Sequence, residues 1–204
     1  THRPVPLTIA FQCQNQLITS LAQLKPQWHA AHDEAARHLR RGRHGRWPPR
    51  TREEFAHPNR FDKLVRHLVD AGRLPCIFFT FGRRRTEDLA LEASRLSLVS
   101  PAESRALRTM FEELCARFEL TNDRTAQALG QLIASGVAYH HAGMLPTVKE
   151  VVERCFTSRR VKLIVTTETF ALGINMPARS VVLDALSKRV DGGPCEVRPA
   201  VTRA

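Results

Sequence analysis

From residue 60 to residue 185 the apolar positions switch repeatedly between a helical period and short continuous runs. Phe61, Leu64, Val65, Leu68 and Val69 form the i, i+3, i+4, i+7, i+8 stripe of a core-facing helix, and Gly72 is its expected stop. The apolar run Cys76 to Phe81 is short and aromatic, which predicts a buried parallel strand. Gly82 breaks that strand, and Thr86 with Glu87 and Asp88 is expected to open a helix whose inner side carries Leu89, Ala90, Ala93 and Leu96. Ser100-Pro101-Ala102-Glu103 combines a cap, a first-turn proline and the acid of a capping box. Leu107, Met110, Phe111, Leu114, Cys115 and Phe118 mark the apolar face of the helix it starts. A second helical stretch carries Leu129, Leu132 and Ile133 and stops at Gly136, so residues 100–135 read as a helical hairpin inserted into the pattern.

The pattern then resumes. Val137 to His140 is a strand, Thr147 to Phe156 a helix with Val148, Val151, Val152, Cys155 and Phe156 inward, and Val161 to Thr166 and Ser180 to Ala185 are strands. Repeated βα units predict an α/β fold, a parallel sheet covered by helices on both faces, with ligands at the carboxyl ends of the strands.

The first sixty residues are less regular. Val5 to Phe11 alternates like a strand, but Pro4 and Pro6 confine it to an edge. Periodicity fades from about Lys25 to Asn59, and the stretch Arg37 to Arg50 holds six arginines and Trp47 among Gly and Pro, as expected of a basic surface loop. Such a run reads either as a solvated linker or as a track for a nucleic-acid strand with Trp47 stacking on a base. The expected organisation is an opening segment over 1–24, the basic loop over 25–59, an α/β domain over 60–190 with its insertion at 100–135, and a tail over 191–204. Starting without Met and ending soon after a strand, the chain is expected to belong to something longer.

Composition narrows the function classes. A 43% hydrophobic content with ten Phe supplies a core, while 25% charged residues and the lack of any long apolar run argue against a membrane protein, so a cytoplasmic location is expected. The formal charge of +11 favours a polyanionic partner. Five scattered cysteines without a C-x-x-C pair point to reduced, partly buried thiols rather than to a metal or redox site. The pair His140-His141 lacks Cys or carboxylate neighbours at ligand spacing, so no metal is expected there, and His140 is expected to be packed or bonded to backbone.

Three strand ends carry the candidate chemistry: Thr80 to Thr86 (T-F-G-R-R-R-T), His140 to Pro146 (H-H-A-G-M-L-P) and Thr166 to Arg179 (T-T-E-T-F-A-L-G-I-N-M-P-A-R). Singly, each is an ordinary turn. Together they bring hydroxyl, imidazole and guanidinium donors, each with a glycine, to one edge of the sheet, and the first two lead into helix N-termini, an arrangement suited to phosphate.

In order and wording these segments resemble the superkiller-type DExH-box helicases of superfamily 2, most closely the exosome-associated RNA helicases. Thr1 to Leu7 resembles the family's lead into its second RecA-like domain, Ile77 to Ala90 its motif IV, Val137 to Val152 its motif IVa and Val161 to Arg179 its motif V. The resemblance covers roughly residues 1–10 and 60–190. It implies a RecA-like, P-loop NTPase-type helicase C-terminal domain, the second motor domain of an ATP-dependent RNA helicase. Arg83, His141, Gly143, Thr166 and Thr167 then become nucleic-acid contacts, and Gly173 and Asn175 lie at the nucleotide cleft. Glu168 could order the same loop. ATP and Mg²⁺ would be held mainly by a first RecA-like domain, and the expected partners are that domain and a single-stranded RNA or DNA, with no membrane.

The departures matter equally. The chain has no G-x-x-x-x-G-K-[ST] loop, no Asp-Glu-x-His box and no Gln-x-x-Gly-Arg-x-Gly-Arg element; Arg198 and Arg203 lack the glycines of that element, which is expected beyond Ala204. No catalytic residue is therefore expected in this chain, and alone it is expected not to hydrolyse ATP. A DNA helicase or translocase of the related repair branch, or a non-catalytic nucleic-acid-binding module, remains open at this level.

Overall fold

The computed structural model describes residues 8–13, 15–27, 29–30, 59–171, 176–184, 187–190 and 193–196. The basic stretch 37–50, Gly173 and Asn175 lie outside the described residues. The chain divides into two compact units, 1–67 and 68–204.

In the first unit, β1 (Phe11–Cys13) and β2 (Gln16–Ile18) form an antiparallel hairpin. Of the strand expected over Val5 to Phe11, only Phe11 is strand among the described residues: residues 8–10 are irregular and pairing starts at Phe11. The turn decides this: Asn15 holds φ at 63°, a conformation that Asn tolerates better than most residues. Asn15 is also a hub. Its N–H donates to Asn59 Oδ1 at 3.1 Å, and its Oδ1 accepts from the Arg60 N–H at 2.6 Å, while Asn59 Nδ2 donates to the Gln12 carbonyl at 2.9 Å. The hairpin is thereby tied to Asn59 and Arg60.

Helix α1 spans Phe61–Asp70. Leu64, Val65 and Leu68 are buried as the stripe requires, but Val69 is 43% exposed. The helix stops where expected: Gly72 takes φ 62°, its N–H bonds the Val69 carbonyl and the Arg73 N–H bonds the Leu68 carbonyl, the paired bonds of a Schellman stop.

The second unit holds a four-stranded parallel sheet of β3 (Cys76–Phe79), β4 (Val137–His140), β5 (Leu163–Thr166) and β6 (Ser180–Leu183), in the order β4-β5-β3-β6. Every residue of β4 and β5 is buried, which is why their sequences run apolar without alternation. A separate two-stranded ladder, β7 (Ser187–Val190) with β8 (Gly193–Glu196), follows.

Helix α2 (Arg83–Ser94) follows β3 and starts three residues before Thr86, the expected opening. Gly82 is the N-cap at φ 93°, so the chain turns into the helix at once, and the Thr86 hydroxyl donates back to the Gly82 carbonyl at 2.9 Å from inside the first turn. The insertion is α3 (Pro101–Arg117) and α4 (Arg124–Ala134). Both start on side-chain caps. Ser100 and Glu103 form the full capping box, and Asp123 accepts from the Ala126 N–H at 2.8 Å. The second carboxylate oxygen of Glu103 meets Lys162 Nζ at 2.9 Å, fastening the head of α3 to the residue just before β5. The insertion closes at Gly136, whose φ of 83° and whose approach to Val99, 2.6 Å from any added Cβ, both demand glycine.

Helix α5 (Pro146–Thr157) buries Val148, Val151, Val152, Cys155 and Phe156, the inward set read from the sequence. Successive residues of a strand point to opposite faces. At the end of β4, His140 Nε2 lies 2.9 Å from Glu153 of α5, and His141 Nε2 lies 2.9 Å from Glu87 of α2, so the two helices cover opposite faces of the sheet. The expectation for His140 is borne out: it is packed, 4% exposed, with its ring edge-on to Phe170 at 4.6 Å. Cys13, Cys76, Cys115 and Cys155 are free and buried.

Two expectations follow. Ser100→Ala removes one arm of the capping box and costs about 1 kcal/mol of stability, read by urea unfolding. An unchanged midpoint shows that the Lys162 bridge alone holds the head of α3. The second expectation concerns pH. Burial pushes His140 down from 6.5 to about 4, so the unfolded chain takes a proton that the folded one refuses. This contribution is complete above pH 6.5 and is lost as pH falls from about 6.5 to about 4; burial raises Glu153 and offsets part of it at the acid end. His140→Gln, which keeps a donor for Glu153, flattens the stability profile over that window in pH-series denaturation, and an unaltered slope there refutes the assignment.

Candidate nucleic-acid interface

The carboxyl edge of the parallel sheet gathers residues 80–86, 141–146, 166–171 and Asp184. Arg83, exposed in the first turn of α2, lies against Gly143. A Cβ built on Gly143 would stand 3.0 Å from Arg83 Nη1 and 3.1 Å from its Cδ, so glycine is what lets the guanidinium lie there.

His141 is 5% exposed and uses both ring nitrogens internally. Its Nδ1 accepts from the Gly143 N–H at 3.2 Å, which places the ring proton on Nε2, where it is donated to Glu87 Oε1 at 2.9 Å. Thr166 is fully buried, and its hydroxyl donates to the His140 carbonyl at 2.8 Å. Thr167 is half-buried; its N–H reaches the same His140 carbonyl at 3.3 Å, and its own carbonyl accepts from Phe170 in the 3-10 turn Glu168–Ala171. The structure thus brings Arg83, His141 and Gly143 into one cluster, with Thr166 and Thr167 alongside through His140. The hydroxyl of Thr166 and the imidazole of His141 are committed within the protein.

Sequence reading missed two partners. Asp184, at the end of β6, accepts from Arg85 Nε at 2.8 Å and Nη2 at 3.3 Å, and from the Thr80 hydroxyl at 2.8 Å. The hydrogen bond to Asp184 raises the pKa of Arg85, and burial works against it. Glu87 read only as an acid near a helix start. Both pairings cross between elements, so no local spacing announces them.

The helix ends differ by location. Helices α2 and α5, which begin at this edge, have no side-chain cap and no acid in the first turn. Helices α3 and α4, which begin elsewhere, are capped. The edge therefore carries first-turn N–H groups that no N-cap side chain bonds, and the positive ends of two helix dipoles, beside Arg83 and the almost fully exposed Arg84. Beside the carboxylates of Asp184 and Glu168, the edge thus presents the exposed guanidinium groups of Arg83 and Arg84, which is chemistry for binding an anion. Among the described residues no group of His, Cys, Asp and Glu could hold a metal ion, and no helix is long and apolar enough to cross a membrane.

The family described as "Helicase conserved C-terminal domain" matches residues 107–189. Superkiller complex protein 2 of Mus musculus is 36% identical over 127 residues, covering 61% of this chain and 10% of that protein. DExH-box ATP-dependent RNA helicase DExH10 of Arabidopsis thaliana is 36% identical over 128 residues, 62% of this chain and 13% of its own length. ATP-dependent RNA helicase mtr4 of Schizosaccharomyces pombe is 32% identical over 133 residues, 64% of this chain and 12% of its own length. The chain therefore spans only about a tenth of the length of the relatives it matches. With its parallel sheet, its helices on both faces and these relatives, the chain carries a RecA-like helicase C-terminal domain of the superfamily 2 DExH-box, superkiller type.

Proposed function

We propose that this domain is the second motor domain of an ATP-dependent RNA helicase, gripping the backbone of a single-stranded RNA at the carboxyl edge of its sheet. The observation that carries this reading is the meeting of Arg83 and Gly143 with two uncapped helix N-termini. Open N–H groups and guanidinium bind phosphate without reading bases, which suits a motor that steps along any sequence. Arg83 and Thr167 are the direct contacts; His141 and Thr166 shape the edge from within, and Gly143 makes room for Arg83.

Gly173 and Asn175 are assigned to the nucleotide cleft by the resemblance of their segment to the family's motif V, with the other wall of that cleft belonging to a first RecA-like domain. The printed names of the relatives, an ATP-dependent RNA helicase among them, favour ATP as fuel and RNA as track. Mg²⁺ and the triphosphate are held mainly by that first domain, since this chain lacks the phosphate loop and the acidic box. Closure of the two domains on ATP shifts the phosphate contacts along the strand, and hydrolysis releases them.

Two measurements test the reading. Binding of the full chain to fluorescein-labelled oligouridine is followed over a salt series, where each phosphate contact contributes about 0.7 to the slope of log K against log salt. Arg83→Ala weakens binding and lowers that slope by about one contact, and Gly143→Ala acts in the same direction by displacing the guanidinium. A slope untouched by either variant removes this edge as the grip. The chain alone, with RNA present, shows no ATP turnover; hydrolysis by the purified chain would contradict the division of labour between the two domains.

A further inference from the structure

We propose that Glu87 is a positioning residue that aims Arg83 at the bound strand, acting through His141 and Gly143; this rests on the reading of the edge as a phosphate grip. Arg83, Arg84 and Arg85 are consecutive and chemically equal, yet the fold treats them differently. Arg85 is bound in a fork by Asp184, and Arg84 stands almost fully in solvent, 4.0 Å from Asp88. Arg83 lies over Gly143.

Helix geometry explains how this is arranged. Residues two apart on a helix point about 200° away from each other, and residues four apart share a side. Arg85 and Glu87 therefore leave opposite sides of α2. One ties the helix to the end of β6 and the other to the end of β4, the two outer strands of the sheet. The first turn of α2 is braced across the full width of the sheet, and Arg83, on the side of Glu87, is directed to Gly143.

Position i+4 would also make Glu87 the natural salt-bridge partner of Arg83, which would neutralise the grip. The carboxylate is instead occupied by His141 Nε2 at 2.9 Å, and among the described residues Arg83 has no carboxylate partner. His141 Nδ1 in turn fixes the Gly143 N–H, so one continuous chain of bonds runs from Glu87 to the surface on which the guanidinium lies.

The test has a sign that a charge effect cannot imitate. Removing a carboxylate from a surface that binds a polyanion strengthens binding on electrostatic grounds. The proposal requires the opposite for Glu87→Ala: binding of the full chain to fluorescein-labelled oligouridine weakens on the order of fivefold and the salt slope falls as it does for Arg83→Ala. Glu87→Gln makes the same charge change but keeps an acceptor for Nε2, and it binds at least as tightly as the parent. Glu87→Asp keeps the charge, loses the reach and weakens binding, so it carries the test if the alanine variant fails to fold. In a double-mutant cycle, Arg83→Ala with Glu87→Ala binds no worse than Arg83→Ala alone. Tighter binding by Glu87→Ala, or an equal further loss in the Arg83→Ala background, overturns the positioning role while the grip stands. If Arg83→Ala itself leaves binding and slope unchanged, the grip fails, and the positioning role falls with it.

Discussion

A buried imidazole has one nitrogen that carries a proton and one that carries a lone pair, and it must place both without help from water. Strand β4 ends by making this demand twice in succession. For the Nε2 atoms it is met from opposite faces of the sheet, because neighbouring residues on a strand point apart. His140 takes Glu153 from α5 and His141 takes Glu87 from α2, so one dipeptide fastens a helix to each face. The burial that forces these pairings also keeps His140 neutral over the ordinary pH range. Its Nδ1 is the buried side-chain atom among the described residues that goes without a hydrogen bond. Such an atom is a local cost of about 1 to 3 kcal/mol, set against the packing of the ring on Phe170.

From the same dipeptide the geometry passes outward to the surface. His141 has only its Nδ1 lone pair left for the loop, and the Gly143 N–H supplies the donor. The loop is therefore shaped by a buried residue, while its outer side remains open to the guanidinium of Arg83. Thr166 plays the matching part on β5, with its hydroxyl turned to the His140 carbonyl rather than outward. The helices divide in the same way. Where α3 and α4 start, away from the edge, Ser100 and Asp123 satisfy the first-turn donors and contribute about 1 kcal/mol apiece. Where α2 and α5 start, no N-cap side chain bonds the first-turn donors and that stabilisation is forgone.

How much of this was legible in the sequence depends on whether the information is local. The strands were legible because β4 and β5 are buried on both faces and so run apolar without alternation up to His140 and Thr166 at their ends. Ser100, Pro101 and Glu103 specify their helix start within four residues, and the capping box is found as read. Gly72 and Gly136 are legible as stops because each takes a positive φ that few other residues accept. The start of α2 was misplaced at Thr86, since a glycine N-cap leaves no side-chain signature and Thr86 turns its hydroxyl inward. The contact of Arg83 with Gly143, the burial of the Thr166 hydroxyl and the role of Asp184 were not legible. Each is fixed by a partner on another element, Asp184 lying 99 residues from Arg85 in the chain.

The glycines show what the sequence pattern alone cannot separate. Gly136 and Gly143 each lie beside β4 and each read as turn residues. At Gly136 the backbone is at φ 83° and an added Cβ would strike the packed side chain of Val99 at 2.6 Å, so its requirement belongs to the fold. At Gly143 the nearest atoms to an added Cβ belong to Arg83, an exposed and flexible side chain that could move aside. A larger residue there would leave the fold standing and displace only the guanidinium. The need for glycine at 143 is thus a need of the surface, set by the guanidinium of Arg83 that lies against it.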